Sequence, residues 1–310
     1  MACNPGTTSA ARLAQVACRC LALALLIAAN GPRAAAQDRP EFKTFVDMTP
    51  AELATQVHEL KHLTPASSQE MLPEILQRVG AAVADFFESF SNTTSTEHLS
   101  STVDIPGERR DLHYDAKLNY VALVKTGGDK TRLEEYRTNP KGKVVELLSL
   151  QTVVSLGFVS MTVHLHPSYQ PDSRFSYLGR EKVERQDAYV VAFAQRPGVA
   201  RRRSQVAFSG RTANELVQGV AWIDPVNFRV LRLRTDLEQP DPTVSLARET
   251  TQIEYFGVTF KQGGKSLWLP RQVSVRGQIG KYVYDNSHRY SDYRLFVVQT
   301  EESTSYDQRN

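Results

Sequence analysis

Two periodicities divide the chain. From Pro73 onward Ile75, Leu76, Val79, Val83, Phe86, Phe87 and Phe90 recur at i, i+3, i+4 and i+7, while Glu74, Gln77, Arg78, Asp85 and Glu88 take the other positions; this is a helix with one apolar face. Each of the three phenylalanines stabilises by roughly 2–3 kcal/mol when buried, so the stripe requires a cover, most simply a sheet. Upstream, Thr49-Pro50-Ala51-Glu52 supplies an N-cap, a proline at N1 and a glutamate at N3. With Leu53, Val57 and Leu60 at helical spacing this predicts a first helix from Thr49 to His62, stopped by Pro65. Ser67 and Glu70 offer a second capping box that reads as a short turn before the main helix.

After Asn92-Thr93-Thr94 the period becomes two. Leu112, Tyr114, Ala116, Leu118, Tyr120, Ala122 and Val124 alternate with Asp111, His113, Asp115, Lys117 and Asn119, which predicts a long antiparallel strand with one buried and one wet face. Further strands are predicted over 133–138, 174–182, 188–195, 216–223, 229–237, 250–261, 267–276 and 282–298. Turn residues separate them at Asn139-Pro140-Lys141-Gly142, Asp224-Pro225-Val226-Asn227 and Gly263-Gly264. Residues 144–170 fit no single period, and Val153 to His166 reads equally as a buried strand or a short helix. Helices followed by nine or ten meandering strands predict an α+β fold, in which the N-terminal helices pack on one face of a wide antiparallel sheet.

The first 36 residues belong to neither pattern. Arg12 and Arg19 precede an apolar run from Cys20 to Ala29, and Ala34-Ala35-Ala36 precedes Gln37. This reads as a cleavable signal peptide cut after Ala36, too short in its apolar run to span a bilayer. The expected organisation is a presequence over 1–36 and one domain over 37–310, helical to residue 92, sheet from 93 to 300, and a flexible tail over 301–310. The expected location is periplasmic or secreted.

Processing there changes the chemistry available. Cys3, Cys18 and Cys20 are the only cysteines, so the processed chain has no disulfide and no thiolate site. Three of the 37 Lys plus Arg lie in the same segment, which leaves 34 against 34 Asp plus Glu. A formally neutral chain gives no electrostatic case for nucleic acid. The run Arg201-Arg202-Arg203 follows Pro197-Gly198 and reads as a solvated turn.

His58-Glu59-Leu60-Lys61-His62 matches the H-E-x-x-H zinc-peptidase pattern, with His58 and His62 as ligands and Glu59 as the base that activates water. Lys61 and the early stop at Pro65 depart from that pattern, and both histidines lie away from the face of Leu53, Val57 and Leu60. His164-Leu165-His166 would put two imidazoles on one strand face, without an assignable third ligand. Asp224 reads as a turn residue between two strands. The chain lacks G-x-S-x-G, a P-loop and G-x-G-x-x-G in strand-helix context, so no catalytic set and no cofactor is expected.

The second half carries a resemblance. Gly219-Val220-Ala221-Trp222-Ile223-Asp224-Pro225, then Arg229-Val230-Leu231-Arg232-Leu233, Leu267-Trp268-Leu269-Pro270-Arg271 and His288-Arg289-Tyr290-Ser291-Asp292-Tyr293-Arg294-Leu295-Phe296 resemble secreted acidobacterial proteins. Leu72-Pro73-Glu74-Ile75-Leu76 and Asn92-Thr93-Thr94-Ser95 belong to the same likeness. Those proteins in turn resemble, by hairpin pattern and order, the periplasmic lipoprotein carrier (LolA-like) superfamily. The resemblance implies an incomplete antiparallel barrel closed by helices over an apolar cavity for acyl chains, and no catalytic residues. The expectation is a non-enzymatic carrier of a lipid or lipoprotein acyl chain. Its cavity candidates are Phe86, Phe87, Phe90, Tyr114, Leu118, Tyr120, Trp222 and Trp268. The alternatives are an envelope module with a solid core that binds another protein, and a zinc hydrolase built on His58, Glu59 and His62.

Overall fold

The computed structural model describes residues 43–107, 111–127, 130–145, 157–199, 204–208, 211–261 and 264–296. The expected signal peptide over 1–36, the Arg201 to Arg203 run, the expected tail over 301–310 and residues 146–156 lie outside these. The elements in chain order are α1 (Pro50–Gln56), β1 (Thr64–Pro65), α2 (Leu72–Ser89), β2 (Thr93–Asp104), β3 (Leu112–Gly127), β4 (Lys130–Thr138), β5 (Ser173–Val183), β6 (Gln186–Gln195), β7 (Ser204–Phe208), β8 (Arg211–Glu215), β9 (Val217–Ile223), β10 (Val230–Leu237), β11 (Leu246–Thr259), β12 (Ser266–Ile279) and β13 (Tyr282–Leu295). Eleven strands form one antiparallel sheet in the order β1-β5-β6-β9-β10-β11-β12-β13-β2-β3-β4, and β7 and β8 form a separate hairpin. The fold is α+β on a wide open sheet. No helix among the described residues is long and apolar enough to cross a membrane.

The sheet has two regimes. Strand β9 is buried at every position, and β6 from Ala188 onward. Their near-continuous apolar sequences follow from being covered on both faces. On the inner face lie Ile75, Val79 and Val83 of α2 with Phe158, Val159 and Leu165. On the outer face Phe45, Leu53, Val57 and Leu60 pack on Leu178, Val190, Ala192, Val220 and Trp222. From β11 through β13 and β2 to β3, burial alternates and the outer face is wet.

The first helix is shorter than predicted. Thr49 forms the expected capping box with Glu52, but α1 ends at Gln56, and residues 58–60 form a 3-10 turn. Val57 leaves the helical region at φ −109°, ψ 88°. The break lets Val57 and Leu60 both reach the sheet, buried with Leu53. Glu181 on β5 fixes this segment, accepting from the His62 amide at 3.2 Å and from Trp222 Nε1 at 3.0 Å. Close approach of β1 to β5 depends on Gly179, at φ +135°, where a Cβ would stand 2.0 Å from the Thr64 carbonyl oxygen.

The main helix meets its expectation, starting at Leu72 with Pro73 in the first turn. Lys265 closes its other end, donating to the Ser89 carbonyl and, at 2.6 Å, to Ser91 Oγ. The described part of the ambiguous stretch takes the short-helix alternative, as a 3-10 helix over Met161–Leu165 lying between α2 and the sheet.

The sheet curls around this inserted segment. Glu135 on β4 accepts from the amides of Val159 (3.1 Å) and Ser160 (3.0 Å), and Tyr255 Oη on β11 donates to the Phe158 carbonyl at 3.1 Å. Strands β4 and β11 are five steps apart in the sheet, roughly 24 Å if it were flat. One peptide unit touches side chains from both, so the intervening strands wrap around it.

Candidate functional site

Two features of the inner face stand out, a pocket at the seam between α2 and the sheet and a buried polar nest behind Phe158. The pocket is lined by Ala82, Val83, Asp85, Phe86 and Ser89 of α2, Val159 and Thr162 of the inserted segment, and Phe228, Arg229, Val230, Tyr255, Ser266, Leu267 and Trp268 of the sheet side. Its volume is about 70 Å³, room for about five water-sized groups. Phe228 reaches it from the Asp224 turn in a left-handed backbone conformation, φ 57°, uncommon for a bulky residue. Asp224 holds that turn by accepting from the amides of Val226 (2.7 Å) and Asn227 (3.3 Å), the role the sequence assigns to it. The Arg78 guanidinium lies 3.9 Å over the Phe228 ring, and Arg229 lies 5.5 Å over Trp268.

The polar nest is fully enclosed. Glu97 on β2, Arg137 on β4 and His288 on β13 have side chains at 0% exposure. Arg137 forks onto Glu97 through Nε (2.5 Å) and Nη2 (2.7 Å), while His288 Nδ1 (2.8 Å) and Tyr290 Oη (3.0 Å) meet Glu97 Oε1. Phe158 caps the nest, its ring 5.1 Å from His288, stacked at 6.5 Å on Tyr120 and 5.9 Å from the Arg137 guanidinium. Tyr120 Oη donates to Glu135, the carboxylate that also holds the Val159 and Ser160 amides. Buried His288 Nε2 has no hydrogen-bond partner among the described residues.

Burial pushes Glu97 up, but the His288 hydrogen bond and the Arg137 charge outweigh it and hold the carboxyl at about 2. Burial also depresses His288, against the opposing pull of Glu97. The imidazole is therefore neutral, with Nδ1–H donated to the carboxylate and a lone pair on Nε2. Both shifts have the same sign for stability. The folded state resists a proton that unfolded Glu97 takes below about 4.5 and unfolded His288 below about 6.5. Stability contributed by the pair is thus present above those values and lost as pH falls through 6.5 and then from 4.5 toward 2. The urea midpoint is expected to fall continuously from pH 7 to pH 3, less steeply in His288→Phe. An identical pH slope in wild type and variant would remove His288 from this account.

The cavity candidates read from sequence are dispersed. Phe86 and Trp268 line the pocket. Phe87 and Phe90 flank Phe86, with Phe86 ring centroids 5.3 Å from each. Tyr120 belongs to the nest. Leu118 lies on the same β3 face opposite Glu97, and Tyr114 further on opposite Ser101. That face opens toward its far end, where Leu112 is 48% exposed rather than buried. Trp222 is a correction: alternation along β9 turns it to the outer face, packed under α1, so it cannot share a cavity with α2.

The histidines that the sequence weighed as metal ligands are placed as follows. Helix α1 ends before His58, so His58 and His62 are not one α-helical turn apart on a common face. Glu59 is paired with Arg234 at 2.8 Å. His164 sits on a 3-10 turn stacked on Phe193 at 5.6 Å, and His166 packs edge-on to Phe87 and Tyr169. Among the described residues no group of three or more His, Cys, Asp or Glu could hold a metal ion.

No family model matches the chain, and no curated protein matches it. Among solved structures it is similar to a DUF1329 family protein from Desulfovibrio piger, at 12% identity over 74% of this chain and 94% of that one, TM-score 0.38. It is also similar to a "putative outer membrane lipoprotein-sorting protein domain" from Vibrio parahaemolyticus, at 12% identity over 75% of this chain and 94% of that one, TM-score 0.35.

Proposed function

We propose that the protein is a non-enzymatic carrier or binding protein of the cell envelope that takes the acyl chain of a lipid or lipoprotein at the α2 seam. The observation that carries this reading is the seam pocket, where Val83, Phe86, Val159, Phe228, Leu267 and Trp268 supply apolar lining beside the polar Asp85, Ser89, Thr162, Arg229 and Ser266, with Phe87 and Phe90 next to Phe86. Pockets for apolar ligands are concave and mostly apolar, with few polar groups. At about 70 Å³ the pocket receives the end of a chain, not its whole length. The remainder would lie along the partly buried Phe86 and Phe87 surface. The N-terminal export pattern supports the envelope location.

Filling the pocket tests the reading. Ala82→Phe places a ring in it from an only partly buried helical position. Wild type is expected to carry lipid detectable by mass spectrometry of an organic extract and to take up a fluorescent fatty acid. The variant should lose at least about tenfold in affinity, the equivalent of roughly 1.4 kcal/mol. Repeated absence of lipid together with no uptake by wild type would overturn the proposal.

One observation favours a second reading, an envelope module with a solid core that binds another protein. The space between α2 and the sheet is largely occupied by Phe158, Val159 and Leu165. A protein of that kind would take up no fatty acid in any variant.

A further inference from the structure

The wet outer face of β13, β2 and β3 carries an arrangement that folding does not explain. Arg289 stands directly opposite His98, and His98 directly opposite Lys117. All three residues are exposed. Adjacent strands are about 4.8 Å apart, so the two long side chains can meet above the imidazole. Among the described residues none of these three side chains makes an ion pair or hydrogen bond. The row therefore gathers two unpaired cations on either side of one imidazole, two strand spacings apart. Two rows away on the same face the opposite choice is made, where Arg276 faces Asp285 and is paired with it.

The neighbouring row is Ser287, Ser100 and Asp115, again in register. The two rows line a surface depression of about 540 Å³, with Leu99 and Ala116 also at its wall. An arginine fork and a lysine point charge on either side of one position match the oxygens of a phosphate. Two serine hydroxyls can donate to the remaining oxygens. Asp115 accepts only, so the ligand must present a donor on that side.

We propose that this depression binds a phosphate ester carrying a neighbouring hydroxyl, of the glycerol phosphate class, with Arg289 and Lys117 on the phosphate and Asp115 on the hydroxyl. The site lies on the face opposite α2 and stands apart from the acyl-chain reading.

Calorimetric titration of the full chain with glycerol 3-phosphate and with inorganic phosphate tests it, alongside co-sedimentation with phosphatidylglycerol and phosphatidylcholine vesicles. Saturable one-to-one binding of glycerol phosphate, weakened by salt, is expected. Lys117→Gln and Arg289→Gln should each weaken it about tenfold or more, the scale of a lost charged hydrogen bond. The same two variants should melt as wild type does, because both side chains are exposed and make no ion pair within the protein. Arg276→Gln should bind as wild type does, and Asp115→Asn should erase the preference for glycerol phosphate over inorganic phosphate. Co-sedimentation with phosphatidylglycerol alone, lost in Lys117→Gln and Arg289→Gln, identifies the source as a lipid headgroup; binding of the soluble ester alone identifies a free metabolite. No binding in either arm, or binding unmoved by both variants, overturns the proposal.

Discussion

Glu97→Ala is expected to cost about 3–5 kcal/mol of stability, the loss typical when one partner of a buried ion pair is removed. The variant leaves the Arg137 guanidinium at 0% exposure without the carboxylate that holds two of its nitrogens. It also strands His288 Nδ1 and Tyr290 Oη, which share the same carboxylate oxygen. At roughly 2–4 °C per kcal/mol for a domain of this size, the melting temperature should fall by about 6–20 °C. The single variant alone does not separate a buried charge from ordinary packing, whereas a pair of variants does. Glu97→Leu combined with Arg137→Met removes both charges and keeps most of the volume. Apolar replacements of buried pairs are often neutral or better, so the double variant should recover most of the loss. Additive losses in the double variant, or a loss below about 1 kcal/mol in Glu97→Ala, would show that the pair is not uncompensated charge held by its partner.

The nest also shows where the sequence was silent. Most of the sheet was legible because its strands carry apolar residues with period two or, in β6 and β9, in unbroken runs. Strand β2 has no such signal. Its inward positions are Thr93, Ser95, Glu97, Leu99 and Ser101, four of five polar, so the burial that defines the strand leaves no hydrophobic alternation to read. The same holds for Glu97, Arg137 and His288, which come from residues 40 and 191 apart in the chain and meet only because β13, β2, β3 and β4 are neighbours. An unexpected charge on the inward phase of a strand was the one available cue.

Helix α2 was legible to within a residue of its start because its stripe and proline agree. Helix α1 was overestimated because Leu53, Val57 and Leu60 satisfy helical spacing while their burial is achieved by a broken, tighter turn. The same break separates His58 from His62 as metal ligands. Trp222 was assigned to the wrong face for a different reason. A strand covered on both sides contains no polar phase, and nothing in Val217–Ile223 distinguishes the inner from the outer set.

Phe158→Ala is the variant expected to separate the two readings of the interior. Phe158 is fully buried between Tyr120, His288 and Arg137, and truncating a buried phenylalanine costs about 3–5 kcal/mol through lost transfer energy and the cavity left behind. The backbone of the segment stays anchored, because Glu135 and Tyr255 hold main-chain groups of residues 158–160 and not the Phe158 ring. The new space therefore remains inside the curl of the sheet instead of closing by withdrawal of the segment. It lies beside Val159 and Tyr255, which already line the seam pocket. In a carrier this enlarges the place where a chain end enters, so stability falls while affinity for a fluorescent fatty acid rises and longer chains gain most. In a protein whose core is solid by design, stability falls by the same amount and uptake stays at zero. Bound probe further distinguishes the cases through linkage: a ligand that selects the folded state raises the melting temperature of Phe158→Ala, and continues to raise it with the logarithm of its concentration above the dissociation constant. A melting temperature unchanged at saturating fatty acid, in a variant shown to be folded, would exclude the acyl-chain role for this cavity and leave the inner face as structural core.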